Sequence, residues 1–155
     1  YQCIWCSRLA PELEKVMKAQ PDVRYLFKEW PIFGGRWEAS LQAAQQGLTV
    51  WQKKGPQAYV TYHNAIYATG QNEGKLTAQD IRVAASKAGL ATSARGDHTA
   101  SLEKNSNLAE ALGLTGTPGI IVMPVSGATP DTITVFPEAV TAERLQAAIL
   151  KATAR

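Results

Sequence analysis

Cysteine and histidine are scarce in this chain of 155 residues, which holds two of each. So few cysteines exclude a disulfide-stapled scaffold. The histidines, His63 and His98, stand far from each other and from the cysteines in sequence, so no metal-ligand cluster is written into the chain. Charge is sparse as well, at 19% of residues with a net +3, and Lys53-Lys54 is the one adjacent basic pair. A nucleic-acid interface therefore has little support. No apolar run approaches the ~18–20 residues of a membrane span. Internal repeats and low-complexity linkers are missing. So is a signal segment: the chain opens at Tyr1, two residues ahead of its first cysteine, as a processed or incompletely observed chain would.

What is present is a globular composition, 45% hydrophobic, of a length suited to one compact domain. Leu9, Leu13, Val16 and Met17 recur at helical spacing from Cys3 to about Ala19, with Pro11 expected to kink the run. Gln20-Pro21-Asp22 is a turn. Val23 to Lys28, rich in branched and aromatic residues, reads as a strand ended by Trp30-Pro31. A second helix is predicted from Arg36 to about Lys54, with Trp37, Leu41, Ala44, Leu48 and Trp51 along one face. Residues 57–69 fit a helix through Tyr59, Tyr62 and Ile66, but their aromatic content leaves a strand open. Thr77 and Asp80 form an N-cap pattern for a helix that Gly89 closes, and Asp97 to Leu112 is a further helix ended by Gly113. Gly119 to Met123 is a continuous apolar run expected as a buried strand. Thr132 to Phe136 is a second strand. Thr141 caps a last helix with Leu145, Ala148, Ile149 and Ala152 on one side.

The chemistry is concentrated in Cys3-Ile4-Trp5-Cys6. A bridge between these sulfurs would close almost no loop and would stabilise little. Two cysteines one helical turn apart at a helix start serve another purpose. Unpaired N–H groups and the macrodipole favour negative charge there, so Cys3 is the candidate thiolate nucleophile. Cys6, one turn further in and expected to be less exposed, is placed to resolve a mixed disulfide. Half of a zinc site is the rival reading, for which two further ligands at metal-like spacing are wanting; neither a metal nor another cofactor is expected.

A second segment, Gly113-Leu114-Thr115-Gly116-Thr117-Pro118, leads into the apolar strand. With Cys3, Cys6, and Pro11 five residues after Cys6, it resembles the thioredoxin superfamily. Within it, "YQCIWC" over Tyr1 to Cys6 and "FKEWPIFG" over Phe27 to Gly34 are similar to the "YQCPYC" and "YKEFPILG" stretches of DsbA-like periplasmic proteins. The resemblance implies an α/β, thioredoxin-like fold with an inserted helical subdomain: residues 1–35 and 113–155 form the thioredoxin-like part and 36–112 the insertion. It implies a cis Thr117-Pro118 bond facing the cysteines, with the Thr117 backbone free to pair with an extended substrate. It also implies a strand ahead of the cysteine motif, expected upstream of Tyr1 or supplied by a partner.

The implied activity is thiol–disulfide exchange with unfolded or cysteine-containing proteins outside the cytoplasm, in a DsbA-like oxidising direction. A redox partner would recycle the cysteine pair. Thr117 resembles the residue at this position in DsbC and DsbG, which keeps a reductase or isomerase direction open, and a non-catalytic binding module is the reading from another class. Ile4-Trp5 carries no charge or strong donor, so the Cys3 pKa is expected to be less depressed than in strong oxidases. Trp5 should be partly exposed as an apolar platform for substrate, while Trp30, Trp37 and Trp51 fit core packing at least as well. Lys28 and Glu29 could shuttle a proton for Cys6 but read better as an exposed pair at a strand end. His63 and His98 read as surface or capping residues.

Overall fold

The computed structural model describes residues 1–91 and 94–154 of the chain. In order, the elements are α1 (Ile4–Ala19), α2 (Glu38–Lys54), α3 (Pro56–Ala68), α4 (Ala78–Lys87), α5 (Thr99–Ala111), β1 (Ile120–Val122), β2 (Thr134–Phe136) and α6 (Ala142–Thr153). The strands pair antiparallel, with Ile120 opposite Phe136 and Val122 opposite Thr134. This is a helix-rich α/β architecture with a small sheet.

Local chemistry explains most boundaries. Thr77 and Asp80 exchange side-chain and backbone bonds in a full capping box at the start of α4, and Thr141 accepts from the Arg144 amide at the start of α6. Gly89 and Gly113 follow α4 and α5 with φ of 83° and 74°, the left-handed conformation that ends a helix cheaply at glycine. α1 continues through Pro11 without a break. The ambiguous stretch after Gly55 is helical: Pro56 takes the first helical position, where its missing N–H costs nothing, and Tyr59, Tyr62 and Ile66 face inward.

Two apolar cores form. One joins Leu9 and Val16 of α1, Phe136 of β2, and Leu145, Ala148 and Ile149 of α6. The other joins Ala43 and Val50 of α2, Tyr62 and Ile66 of α3, and Ile81, Ala84 and Ala85 of α4. α1 also touches α3, so α1 lies where the two parts meet.

Three expectations are corrected. The inward face of α2 is Ser40, Ala43, Ala44, Gly47 and Val50, while Leu41 and Trp51 are 39% and 55% exposed. Close helix approach decides this: a Cβ on Gly47 would lie 3.1 Å from the Tyr62 ring, so small residues must face α3 and the bulky ones turn outward. The stretch from Val23 to Lys28 is not a strand. Its side chains alternate inward and outward as a strand's do, with Val23 and Tyr25 packed on the first core. Among the described residues, however, its backbone has no ladder partner, and a strand is defined by its ladder. The run from Gly119 to Met123 is not buried either. Ile120 and Val122 pack on the core, but Ile121 and Met123 are exposed because one face of the ribbon is uncovered among the described residues.

The loop between α3 and α4 is held by the Trp37 ring. Gly74 has φ of 92°, and a Cβ there would lie 2.7 Å from Trp37 Nε1. Gly74→Ala should therefore destabilise the protein by about 1–3 kcal/mol, through a strained φ and a displaced indole. A lowered urea midpoint with an unchanged m-value checks this.

Candidate active site

Cys3 is the N-cap of α1, with extended backbone (φ −83°, ψ 121°), and its Sγ accepts a hydrogen bond from the Cys6 amide at 3.3 Å. A sulfur thus occupies the place that a serine or aspartate oxygen usually takes at a helix start. Opposite it lies the loop before β1. The Thr117–Pro118 peptide bond is cis, and the Cys3 thiol reaches the Thr117 carbonyl oxygen at 3.5 Å. The structure therefore gathers Cys3, Cys6, Thr117 and Pro118 from segments more than a hundred residues apart. Trp5, between the cysteines, is 54% exposed, with the Arg8 guanidinium 4.6 Å over its ring.

The two thiols are free and their environments push them in opposite directions. The Cys6 thiol donating to Cys3 is the largest effect on Cys3. Together with the Thr117 side chain and the Cys6 and Trp5 amides, and against the burial that opposes ionisation, it lowers the Cys3 pKa to about 5. The donors the Ile4-Trp5 side chains lack are thus supplied by backbone, Cys6 and Thr117. Cys6, as donor to that sulfur and partly buried, is pushed far up. The expected order of exposure is reversed: Cys3 is 6% exposed as a residue and Cys6 more so, because the Thr117 loop closes over Cys3.

The residues before the motif are tied to the helical part. Gln2 is fully buried, and its Oε1 accepts from the Gly74 and Leu76 amides at 2.9 and 3.4 Å. The Gln2 carbonyl accepts from the Glu73 amide at 2.9 Å, and Glu73 Oε1 accepts from the Ile4 amide at 3.3 Å. Tyr1 donates to Glu29 Oε1 at 2.6 Å, and Tyr59 donates to the same oxygen.

Glu29 is therefore not half of an exposed pair. Lys28 is exposed, but the Glu29 carboxylate is buried under Gly47, and burial raises its pKa against the two tyrosine bonds. His63 is no surface residue: its ring sits among Tyr1, Phe27, Tyr59 and Tyr67, and burial lowers its pKa to about 4, so it is neutral at pH 7. His98 is the N-cap residue of α5, and its ring nitrogen lies 3.0 Å from Thr49 Oγ1. No hydrogen bond joins either histidine to a sulfur among the described residues. Trp30 and Trp37 are partly buried.

Sequence reasoning missed Gln2, Glu73 and Tyr67. Burial raises the Tyr67 pKa first, and negative charge on Cys6 next. None of the three sits in a periodic pattern or a motif with its own chemistry. The one available signal was the placement of Gln2 beside Cys3. Among the described residues, no three His, Cys, Asp or Glu side chains gather as a metal would require, and no helix is long and apolar enough to cross a membrane.

The depressed Cys3 pKa couples reduced-state stability to pH. The folded thiol releases its proton below the unfolded value of 9.0, so the stabilisation is full above about pH 9 and is lost as pH falls through about 5. A fall from 9.0 to about 5 is worth about 5 kcal/mol in full; with solvent screening the reduced protein should lose on the order of 3 kcal/mol between those limits relative to reduced Cys3→Ser. Urea midpoints of both, measured across this range in excess reductant, check it.

Comparison with known proteins places this geometry. The chain matches the family described as DSBA-like thioredoxin domain over residues 1–149. Among solved structures it is similar to BcfH of Salmonella enterica Typhimurium, with 38% identity and a TM-score of 0.82, covering 99% of this chain and 67% of that one. It is also similar to the compact conformation of Proteus mirabilis ScsC, with 28% identity and a TM-score of 0.80, covering 100% of this chain and 80% of that one. A periplasmic thioredoxin-like protein from Salmonella enterica serovar Typhimurium matches with 28% identity and a TM-score of 0.78, covering 99% and 80%. The curated proteins gave no match. A Cys-x-x-Cys pair capping a long helix, a Thr–cis-Pro loop over its first sulfur, and a match along nearly the whole chain agree: the chain belongs to the DSBA-like thioredoxin domain family, with a thioredoxin-like fold.

Proposed function

We propose that this protein oxidises thiols of cysteine-containing protein substrates outside the cytoplasm, through a disulfide that cycles between Cys3 and Cys6. The stabilised thiolate of Cys3 carries this reading. A reduced form stabilised at Cys3 makes the disulfide form a stronger oxidant, and a sulfur of low pKa leaves readily when a substrate thiol displaces it. Since thioredoxin has a thiol pKa of about 7 and a potential of about −270 mV, two units of added thiolate stabilisation correspond to roughly −210 mV.

The steps follow from the geometry. A substrate thiolate attacks the Cys3 sulfur of the disulfide form; the Cys3–Cys6 bond breaks, a mixed disulfide forms, and Cys6 takes up a proton, as its raised pKa favours. A second substrate thiolate then attacks the substrate sulfur, completing the substrate disulfide and releasing Cys3 as the thiolate held by the Cys6 thiol and the Thr117 side chain. Thr117 and Pro118 would align an extended substrate backbone over Cys3, and exposed Trp5 offers it an apolar platform. A redox partner then reoxidises the pair. The periplasmic description of one structural neighbour supports an extracytoplasmic site. The two separate cores support reading residues 36–112 as a helical subdomain inserted between 1–35 and 113–155. Thr117 ahead of Pro118 favours, as the second reading, a reductase or isomerase working through the same cysteines.

Equilibration with glutathione should give a potential near −210 mV, and the oxidised protein should reoxidise a reduced dithiol substrate, an activity that Cys3→Ser abolishes. A potential at or below about −270 mV would move the assignment to the reductase reading. Exchange activity that survives in Cys3→Ser would remove the cysteine mechanism altogether.

A further inference from the structure

The helical part reaches into the cysteine motif at one charged side chain. Glu73 is the only non-glycine residue with positive φ among the described residues, at 52°. Residues with a Cβ seldom take that conformation, and a long acidic side chain is an unusual occupant. Its neighbours hold it there: the Glu73 amide donates to the Gln2 carbonyl, and the next amide, of Gly74, donates to Gln2 Oε1. From that position Glu73 Oε1 accepts the Ile4 amide at 3.3 Å. Ile4 is the first residue of α1, and its N–H is one of the unpaired donors that would otherwise favour the Cys3 sulfur. A carboxylate and a sulfur therefore share one helix tip, the sulfur on the Cys6 amide and the carboxylate on the Ile4 amide.

We propose that Glu73 is a positioning residue that moderates the redox pair: its carboxylate, bound at the tip of α1, repels negative charge on Cys3 Sγ and makes the Cys3–Cys6 disulfide less oxidising. The other charged or titratable groups facing the cysteine pair are the amino group of Tyr1, Tyr67 of α3 and, beside Trp5, Arg8 of α1. Arg8 lies over the outward-facing Trp5 ring, and Tyr67 is a buried neutral phenol. Glu73 is the acidic side chain bonded at this tip. Because it is exposed, solvent weakens its field, and the effect is expected to be about half a unit in the Cys3 pKa at low salt.

This inference rests on Cys3 being the thiolate of the pair. The equilibrium to measure is disulfide protein plus two glutathione thiols giving Cys3 thiolate, Cys6 thiol, one released proton and oxidised glutathione. Glu73→Gln keeps an acceptor for the Ile4 amide and removes only the charge. At low ionic strength it should lower the Cys3 pKa by about half a unit and shift the glutathione equilibrium about threefold toward the reduced form, about 14 mV more oxidising. In about 1 M salt, where the Debye length is near 3 Å, most of the difference should vanish.

Glu73→Asn suits the left-handed backbone and removes the same charge, so it keeps the test open if the glutamine variant folds poorly. A folded variant with unchanged pKa and equilibrium, or a shift that salt does not reduce, overturns the proposal and leaves Glu73 as a loop clamp. Loss of the low-pKa titration in wild type, against the Cys3→Ser control, would instead overturn the reading of Cys3 on which this depends.

Discussion

The hydrogen bond from the Cys6 amide to Cys3 Sγ sets the terms for the remainder of the molecule. It uses a donor that every helix start leaves unpaired, and it aims that donor at an atom able to hold negative charge. For this to be chemistry rather than capping, the sulfur must be enclosed enough to exclude competing water yet remain reachable by a partner sulfur. The Thr117 loop meets both demands, covering Cys3 from β1's end of the chain while leaving Trp5 and part of Cys6 at the surface. Opposed environments one turn apart then divide the labour, with Cys3 easily ionised and Cys6 retaining its proton.

Holding the tip of α1 in place requires both parts of the molecule. From below, Leu9 and Val16 anchor the helix against α6 and β2. From above, buried Gln2 ties the approach to the motif to the loop after α3, through two amides that would otherwise lack partners. The Tyr1–Glu29–Tyr59 contacts add a second tie. A buried carboxylate with two hydroxyl donors costs far less than an unpaired one, and the arrangement fits because Gly47 leaves room above it. That same demand for room explains why α2 turns its small residues inward and its tryptophan out.

Much of the site could be read from residue order alone. Cys3, Cys6, Thr117 and Pro118 stand in two short motifs, and the caps at Thr77 and Thr141 are local hydrogen-bond patterns that need no distant partner. The inward face of α6 followed from periodicity, because Leu145, Ala148, Ile149 and Ala152 are four of the five residues it buries, with Ala142 the fifth. Periodicity failed for α2, where close packing rather than transfer of large apolar groups chose the face. It failed for Val23 to Lys28, because alternation describes side chains, whereas a strand is made by backbone pairing elsewhere in space.

Residue order by itself determined where negative charge could settle, since a cysteine spacing of one turn and a helix start are short-range facts of covalent geometry and hydrogen bonding. Only the tertiary structure decided how strongly that charge is held and what opposes it. The Thr117 side chain that favours the thiolate and the carboxylate of Glu73 at the helix tip both come from segments remote in the chain. Electrostatic energy depends on distance through space and on exclusion of water, and neither quantity exists until the two cores have closed.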